Sequence, residues 1–233
     1  MNAAPVLESR FGGFPRQAFE LLRQLGEHNN RAWYAAHRPA LEAMLVRPAL
    51  ALVVDLGPLL RQRVSSTMRS EPRVGGSILR LQHDARHVRA APFRTHLELW
   101  FWEGDGTSRE HPGCFVRLAP DRLVVGAGIT VFPTHLLAPY RAAVDRVASG
   151  TKLSAILHRL ESAGWSVEGR RLRRVPGPYP ADHERRDLLR LMGLRVERPE
   201  PLPDAVFDAA LPEMLAAGFA RLRPLHRWLA ELR

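Results

Sequence analysis

The hydrophobic pattern of this chain changes period near Pro72, and that change decides which folds are open to it. Upstream, Ala18, Leu21, Leu22 and Leu25 recur at the three- and four-residue spacing of a helix, and Trp33, Leu41, Leu45, Leu52 and Leu56 continue an apolar stripe. Pro15 suits a first helical turn, and Asn29-Asn30 can end one helix and cap the next. Helical segments are expected from about Arg31 to Arg61, which Pro39, Pro48 and Pro58 divide or where they open new turns. Downstream of Pro72, Gly75 and Gly76, apolar residues alternate instead. SILRLQH (77–83), THLELWFW (95–102), CFVRL (114–118) and RLVVGAG (122–128) read as strands. Pro120-Asp121 is a link short enough for a hairpin, and short links favour antiparallel pairing.

The remainder returns mostly to helix. Helices are expected over about Pro133 to Ala148 and Thr151 to Ala163, then a hairpin around Glu168-Gly169 in WSVEGRRLRRV. A helix opening at Asp182 and ending at Leu191, a strand over Leu194 to Glu197 and an extended Pro199 to Pro203 precede a last helix. That helix covers about Pro212 to Leu232, with a kink at Pro224. The fold class is therefore α+β: an antiparallel sheet of four or more strands, with a helical N-terminal third and a C-terminal helix packed on one face. A chain of 233 residues without repeats or an obvious linker reads as a single domain, 1–233.

Composition narrows the setting. No run approaches the roughly 18 apolar residues of a membrane span, and the start lacks the basic and apolar regions of a secretory signal. One cysteine, Cys114, allows no internal disulfide and fits a reducing compartment, so the expectation is cytoplasmic, with no membrane partner. The net charge is +10, and Lys152 is the only lysine among 34 basic residues. An arginine excess of that kind matches codon bias in a GC-rich genome, yet the positive field still attracts polyanions.

Alternation assigns the faces of the expected sheet. Leu79, Leu81, Leu97, Leu99, Phe101, Val116 and Leu118 fall on one side, which should meet the helices. Arg80, Gln82, His96, Glu98, Trp100, Trp102, Phe115 and Arg117 fall on the other. Aromatic bodies beside charged groups are what a partly covered ligand face requires; the competing reading is that other chain segments cover the tryptophans. Between the first two strands, Arg80, His83, Asp84, Arg86, His87, Arg89, Arg94 and His96 crowd together. Arginines fixed by Asp84 would present a bidentate fork to a phosphate or carboxylate, or would form a purely structural network. The candidate ligand-binding residues are Arg80, Asp84, Arg86, His96, Glu98, Trp100 and Arg117.

Other signals are weaker. His83, Asp84 and His87, or His96 with Glu98, do not have convincing metal-ligand spacing outside a helix, and no metal or cofactor is assigned. GAGIT (126–130) lacks the third glycine of a dinucleotide turn, so its glycines are read as permitting a bulge or close packing. Cys114 reads as core. The four arginines of RRLRR (170–174) read as an exposed hairpin, with phosphate-backbone contact as the alternative.

These motifs resemble a widespread bacterial family of about this length. Its members carry Arg-x-x-Arg-Asp-x-Arg-Phe followed by Asp-Lys-x-Pro-Tyr-Lys-Thr. Arg80, Asp84 and Arg86 match, His83 and His87 replace the second arginine and the phenylalanine, and Pro92, Phe93, Arg94 and Thr95 stand at the second motif. The likeness extends to FGGFP (11–15), NNRAWY (29–34), PRVGGS (72–77), GAG (126–128) and RRVP (173–176). Ala90-Ala91 occupy the place of the Asp-Lys pair, and Met192 that of a further lysine, which counts against any activity needing a lysine. The resemblance implies no activity. Three readings follow: binding of an anionic or phosphate-bearing ligand at the sheet face, an enzyme at the same surface with His96 and Glu98 as acid–base pair, or a non-specific nucleic-acid binder. Oligomeric state is not readable from the sequence.

Overall fold

The computed structural model describes residues 10–83, 91–105 and 110–232. It opens with α1 (Arg16–Glu27), α2 (Arg31–Leu41) and α3 (Arg47–Arg63), then strands β1 (Leu97–Trp102), β2 (Gly113–Leu118) and β3 (Arg122–Ile129). Next come α4 (Thr134–Asp145), α5 (Val147–Ser162), β4 (Ser166–Glu168), α6 (Arg186–Leu189), β5 (Leu194–Pro201), α7 (Leu211–Ala220) and α8 (Arg223–Ala230). The sheet is antiparallel throughout, in the order β1-β2-β3-β5-β4. The expected α+β class, the N-terminal helical region and the C-terminal helices are all present.

Pro48 lies in the first turn of α3, as one of the two expected roles required, but Pro39 and Pro58 lie inside helices without dividing them. Arg31–Arg63 runs as one helical segment through Pro39, Pro48 and Pro58. A π-turn over Glu42–Val46, in which the Arg47 amide donates to the Glu42 carbonyl, lies just before Pro48. Widening the turn there gives the proline ring room and reassigns the bonds its missing N–H would have made. By length and composition this segment is apolar enough to cross a membrane, but Leu41, Leu45, Leu52, Leu56 and Leu60 are all buried in the protein core. In α3, Asp55 interrupts the apolar run because its carboxylate accepts from the Phe11 amide at 2.8 Å. Gly13 nearby has φ of 105°, and a Cβ there would stand 2.3 Å from the Phe207 carbonyl, so position 13 of the FGGFP turn admits only glycine.

Leu97, Leu99, Phe101, Cys114, Val116, Leu118, Leu123, Val125, Ala127 and Ile129 belong to the main core, into which α3, α7 and α8 pack against β1 and β3. The assignment of helix-facing residues therefore holds for these strands. It holds for Leu81 and fails for Leu79 in 77–83, which forms isolated bridges instead of a regular strand: Ile78 opposite Leu99, and Gln82 opposite Phe93. Ile78 and Leu81 enter the main core, while Leu79 packs on the opposite side. Ile78 and Leu81 are three apart, so the segment does not keep the alternation of a continuous strand. This segment, together with Arg69, still shields the outer edge of β1, through Trp100 N to Ser77 O at 2.8 Å, Leu79 N to Glu98 O at 2.9 Å and Arg69 N to Trp102 O at 2.7 Å.

The hairpin expected at Glu168-Gly169 is absent. β4 pairs with β5, Val167 opposite Val196, and Leu172 instead exchanges hydrogen bonds with Arg190. The expected helix from Asp182 shrinks to the single turn of α6, and the last helix is broken in two at Arg221–Leu222, with Pro224 inside the first turn of α8. Pro199 and Pro201 extend β5.

Candidate functional site

The face of the sheet turned away from the main core is built from three rows of paired residues. Trp100, Phe115, Gly126 and Glu197 lie side by side across β1, β2, β3 and β5; Glu98, Arg117, Val124 and Pro199 form the row on one flank, and Trp102, Gly113, Gly128 and Arg195 that on the other. Trp100, Trp102, Phe115 and Val124, with Leu79 against them, make a second, smaller apolar cluster. The Trp100 and Phe115 rings stack nearly parallel, centroids 5.1 Å apart and 4° from coplanar. Each leans over a glycine on the next strand. A Cβ at Gly113 would come within 2.7 Å of Trp100 Nε1, and one at Gly126 within 2.4 Å of Phe115 Cζ. The glycines of GAG thus serve close packing, as their sequence context suggested. Trp100 and Phe115 have no exposed surface, so they form a floor, and the tryptophans are covered.

Polar groups stand around that floor. Arg117 from β2 and Arg195 from β5 both approach the Phe115 ring, at 5.8 Å and 5.5 Å from its centroid. The repulsion of two guanidinium groups converging on one ring is offset here only by loose ion pairs. The carboxylates nearby stand beyond hydrogen-bonding range: Arg117 Nε is 3.8 Å from Glu98 Oε2, and Arg195 Nη2 is 3.9 Å from Glu197 Oε2. His96 Nε2 lies 3.4 Å from the same Glu98 oxygen. Among the described residues, Trp100 Nε1, Trp102 Nε1, Arg117 Nε and Glu197 Oε2 are buried without a hydrogen-bond partner. Three of the four are N–H donors, and each such group costs about 1–3 kcal/mol while unmet. Arg195 and Glu197 were not among the sequence candidates. Their alternation with Leu194 and Val196 was visible; that β5 lies beside β3 was not.

The structure thus brings His96, Glu98, Trp100 and Arg117 onto one face, and leaves Arg80 elsewhere. Arg80 lines a cavity of about 280 Å³ with Tyr34, Arg38, Glu42 and Leu81, to which none of those four contributes. Asp84 and Arg86, with His87 and Arg89, lie outside the described residues. The ends of that connection are joined by His83 N to Pro92 O at 2.9 Å and Arg94 N to Leu81 O at 2.7 Å. Asn29 fixes the same place: its Nδ2 donates to Phe93 O at 2.8 Å and its Oδ1 accepts from Phe93 N at 2.9 Å, while Tyr34 stacks on the Phe93 ring. NNRAWY and PFRT, distant in sequence, are thereby one structural unit.

Of the remaining signals, Cys114 is fully buried, and burial pushes its thiol well above the usual range, so it is no nucleophile. The four arginines of RRLRR are exposed, on a segment that pairs with 190–192 instead of folding back on itself. Met192 Sδ receives Arg141 Nη2 at 3.7 Å. Among the described residues no three His, Cys, Asp or Glu side chains converge as a metal site would need.

The fold and this face define an α+β protein with one antiparallel sheet, its inner side under helices and its outer side an aromatic floor ringed by arginines. The chain belongs to the conserved hypothetical protein family DUF2461, whose model matches residues 17–228. No curated protein matches it. Membership in a family without an assigned function agrees with what the order of motifs implied.

Proposed function

We propose that the protein binds a small anionic ligand, phosphate- or carboxylate-bearing, over Phe115 between Arg117 and Arg195. The observation that carries this reading is the convergence of the two guanidinium groups on one ring without a hydrogen-bonded carboxylate. Guanidinium is the side chain best suited to planar, bidentate capture of such anions. The unmet Arg117 Nε supports the same reading, because a ligand oxygen would satisfy it.

Calorimetric titration with pyrophosphate and with citrate at low ionic strength tests this. One of the two should bind, and Arg195→Ala should weaken it by about 1.5–3 kcal/mol, the usual worth of a charged hydrogen bond and roughly ten- to a hundredfold in affinity. Stability should fall by only about 1–2 kcal/mol, since the arginine loses a loose ion pair and its contact with the Phe115 ring. Binding that survives both Arg195→Ala and Arg117→Ala, or no binding of either probe, removes the site. A second reading is supported by the 3.4 Å approach of His96 to Glu98: a carboxylate at that distance orients an imidazole for proton transfer to a ligand on the same face.

A further inference from the structure

A second polar site lies on the far side of the molecule's core, where α3 ends and α8 passes. The chain from Val64 to Ser66, the end of α3 and one side of α8 enclose a cleft of about 480 Å³. Arg61, Arg223 and Arg227 line it, together with Glu103, Glu231 and His226. The two carboxylates are already engaged. Lys152 stands 3.9 Å from Glu231, and Glu103 pairs with His226. Arg223 and Arg227, one turn apart on α8, have no carboxylate partner among the described residues, and Arg61 reaches only the Ser70 hydroxyl, at 3.2 Å. The charge left uncompensated in the cleft is therefore positive.

His226 makes the site chemically specific. Its side chain is 1% exposed, and Nε2 lies 2.8 Å from Glu103 Oε2. Burial alone would raise the Glu103 pKa, but the hydrogen bonds from Ser65, His226 and Thr67 outweigh it and hold the carboxyl below its ordinary value. Glu103 is thus an acceptor, and Nε2 must carry the proton it receives. Burial outweighs Glu103 in turn and lowers the His226 pKa, so near neutrality the ring is uncharged and Nδ1 holds a lone pair. That Nδ1 is buried with no hydrogen-bond partner. The cleft thus combines three cationic groups with one buried acceptor that lacks a donor.

We infer that this cleft binds phosphate in a form that keeps one proton. Hydrogen phosphate brings negative charge for Arg61, Arg223 and Arg227 and a P–O–H to donate to His226 Nδ1. Sulfate has the charge and the shape but no proton to give. This site is independent of the sheet face and stands or falls separately.

The test follows the His226 ring by nitrogen NMR as inorganic phosphate is added to the full chain, at a pH about one unit above the ordinary histidine value. Phosphate should move the His226 signals saturably and bind more tightly than sulfate. In the double variant Arg223→Ala/Arg227→Ala, both exposed positions that should leave folding intact, affinity should fall by roughly tenfold or more. Arg195→Ala should leave it unchanged. Glycerol phosphate, titrated in parallel, has largely lost its last proton at this pH and should bind no better than sulfate; an ester that binds as tightly as phosphate overturns the proton requirement. The inference is overturned if the His226 signals stay still, if sulfate binds as well as phosphate, or if the double variant keeps its affinity. Loss in Arg195→Ala alone would move the phosphate to the sheet face.

Discussion

Asn29 and Asn30 are identical neighbours that do different work. Asn30 closes the first turn of α2, its Oδ1 accepting from the Trp33 amide at 2.9 Å. Asn29 points the other way and imitates a strand, giving one hydrogen bond to the Phe93 backbone and taking one back. Only a carboxamide can do both. Asn29→Asp keeps the shape and loses the donor, so it sets a carboxylate against a carbonyl. Asn29→Ala and Asn29→Asp are each expected to lower stability by about 1–3 kcal/mol in urea denaturation, because backbone groups of Phe93 are left unmet. Asn30→Ala, a simple cap deletion, should cost about 1 kcal/mol. An Asn29→Asp protein as stable as the parent would show that the donor is not needed. An Asn-Asn pair was legible as a helix end and cap; its reach to residue 93 was not, because a side-chain bond across that separation leaves no periodic trace.

At the scale of elements, the tight fit of the sheet's outer face concentrates at Gly126. A methyl group there would meet both the Phe115 ring and, at 2.5 Å, the Val196 carbonyl, and the latter is backbone that cannot swing aside. Gly126→Ala should therefore cost about 1–3 kcal/mol and disturb the Trp100–Phe115 stack, read as a lower melting temperature with a changed near-ultraviolet circular dichroism signal. An unchanged spectrum with an unchanged melt would mean the rings are free to shift. Strands β1, β2 and β3 were readable because each alternates cleanly and short links join β2 to β3. The elements misread share a different property: their state is set by contacts across the fold. Pro39 and Pro58 lie inside helices without dividing them, Leu79 turns away from the helices because 77–83 does not keep the alternation of a continuous strand, and β4 finds β5 instead of its sequence neighbour. Of the candidate residues, His96, Glu98, Trp100 and Arg117 share a face because alternation within a strand is local. Arg195 joins them from a strand whose place in the sheet no local rule supplies.

For the whole molecule, the dominant quantity is the net charge of +10. Such a field draws duplex DNA without a shaped interface, by releasing its counterions. Binding measured by fluorescence anisotropy is therefore expected at low salt, without sequence preference, and should fade as salt rises, the logarithm of affinity dropping by about 0.9 per phosphate contacted for each logarithmic unit of salt. Affinity that persists unchanged into moderate salt would instead require specific contacts, with the exposed arginines of 170–174 the first to substitute.

The backbone that runs beside β1 has a further consequence at this scale. A sheet presents danger at its margins, where unused amide and carbonyl groups can recruit another chain and begin a fibril. One margin here is occupied by Arg69, Ser77 and Leu79, and the other, β4, is only three residues long. Little open edge is left to template growth, so a sheet rich in tryptophan, phenylalanine and valine offers few unused backbone groups for another strand to join.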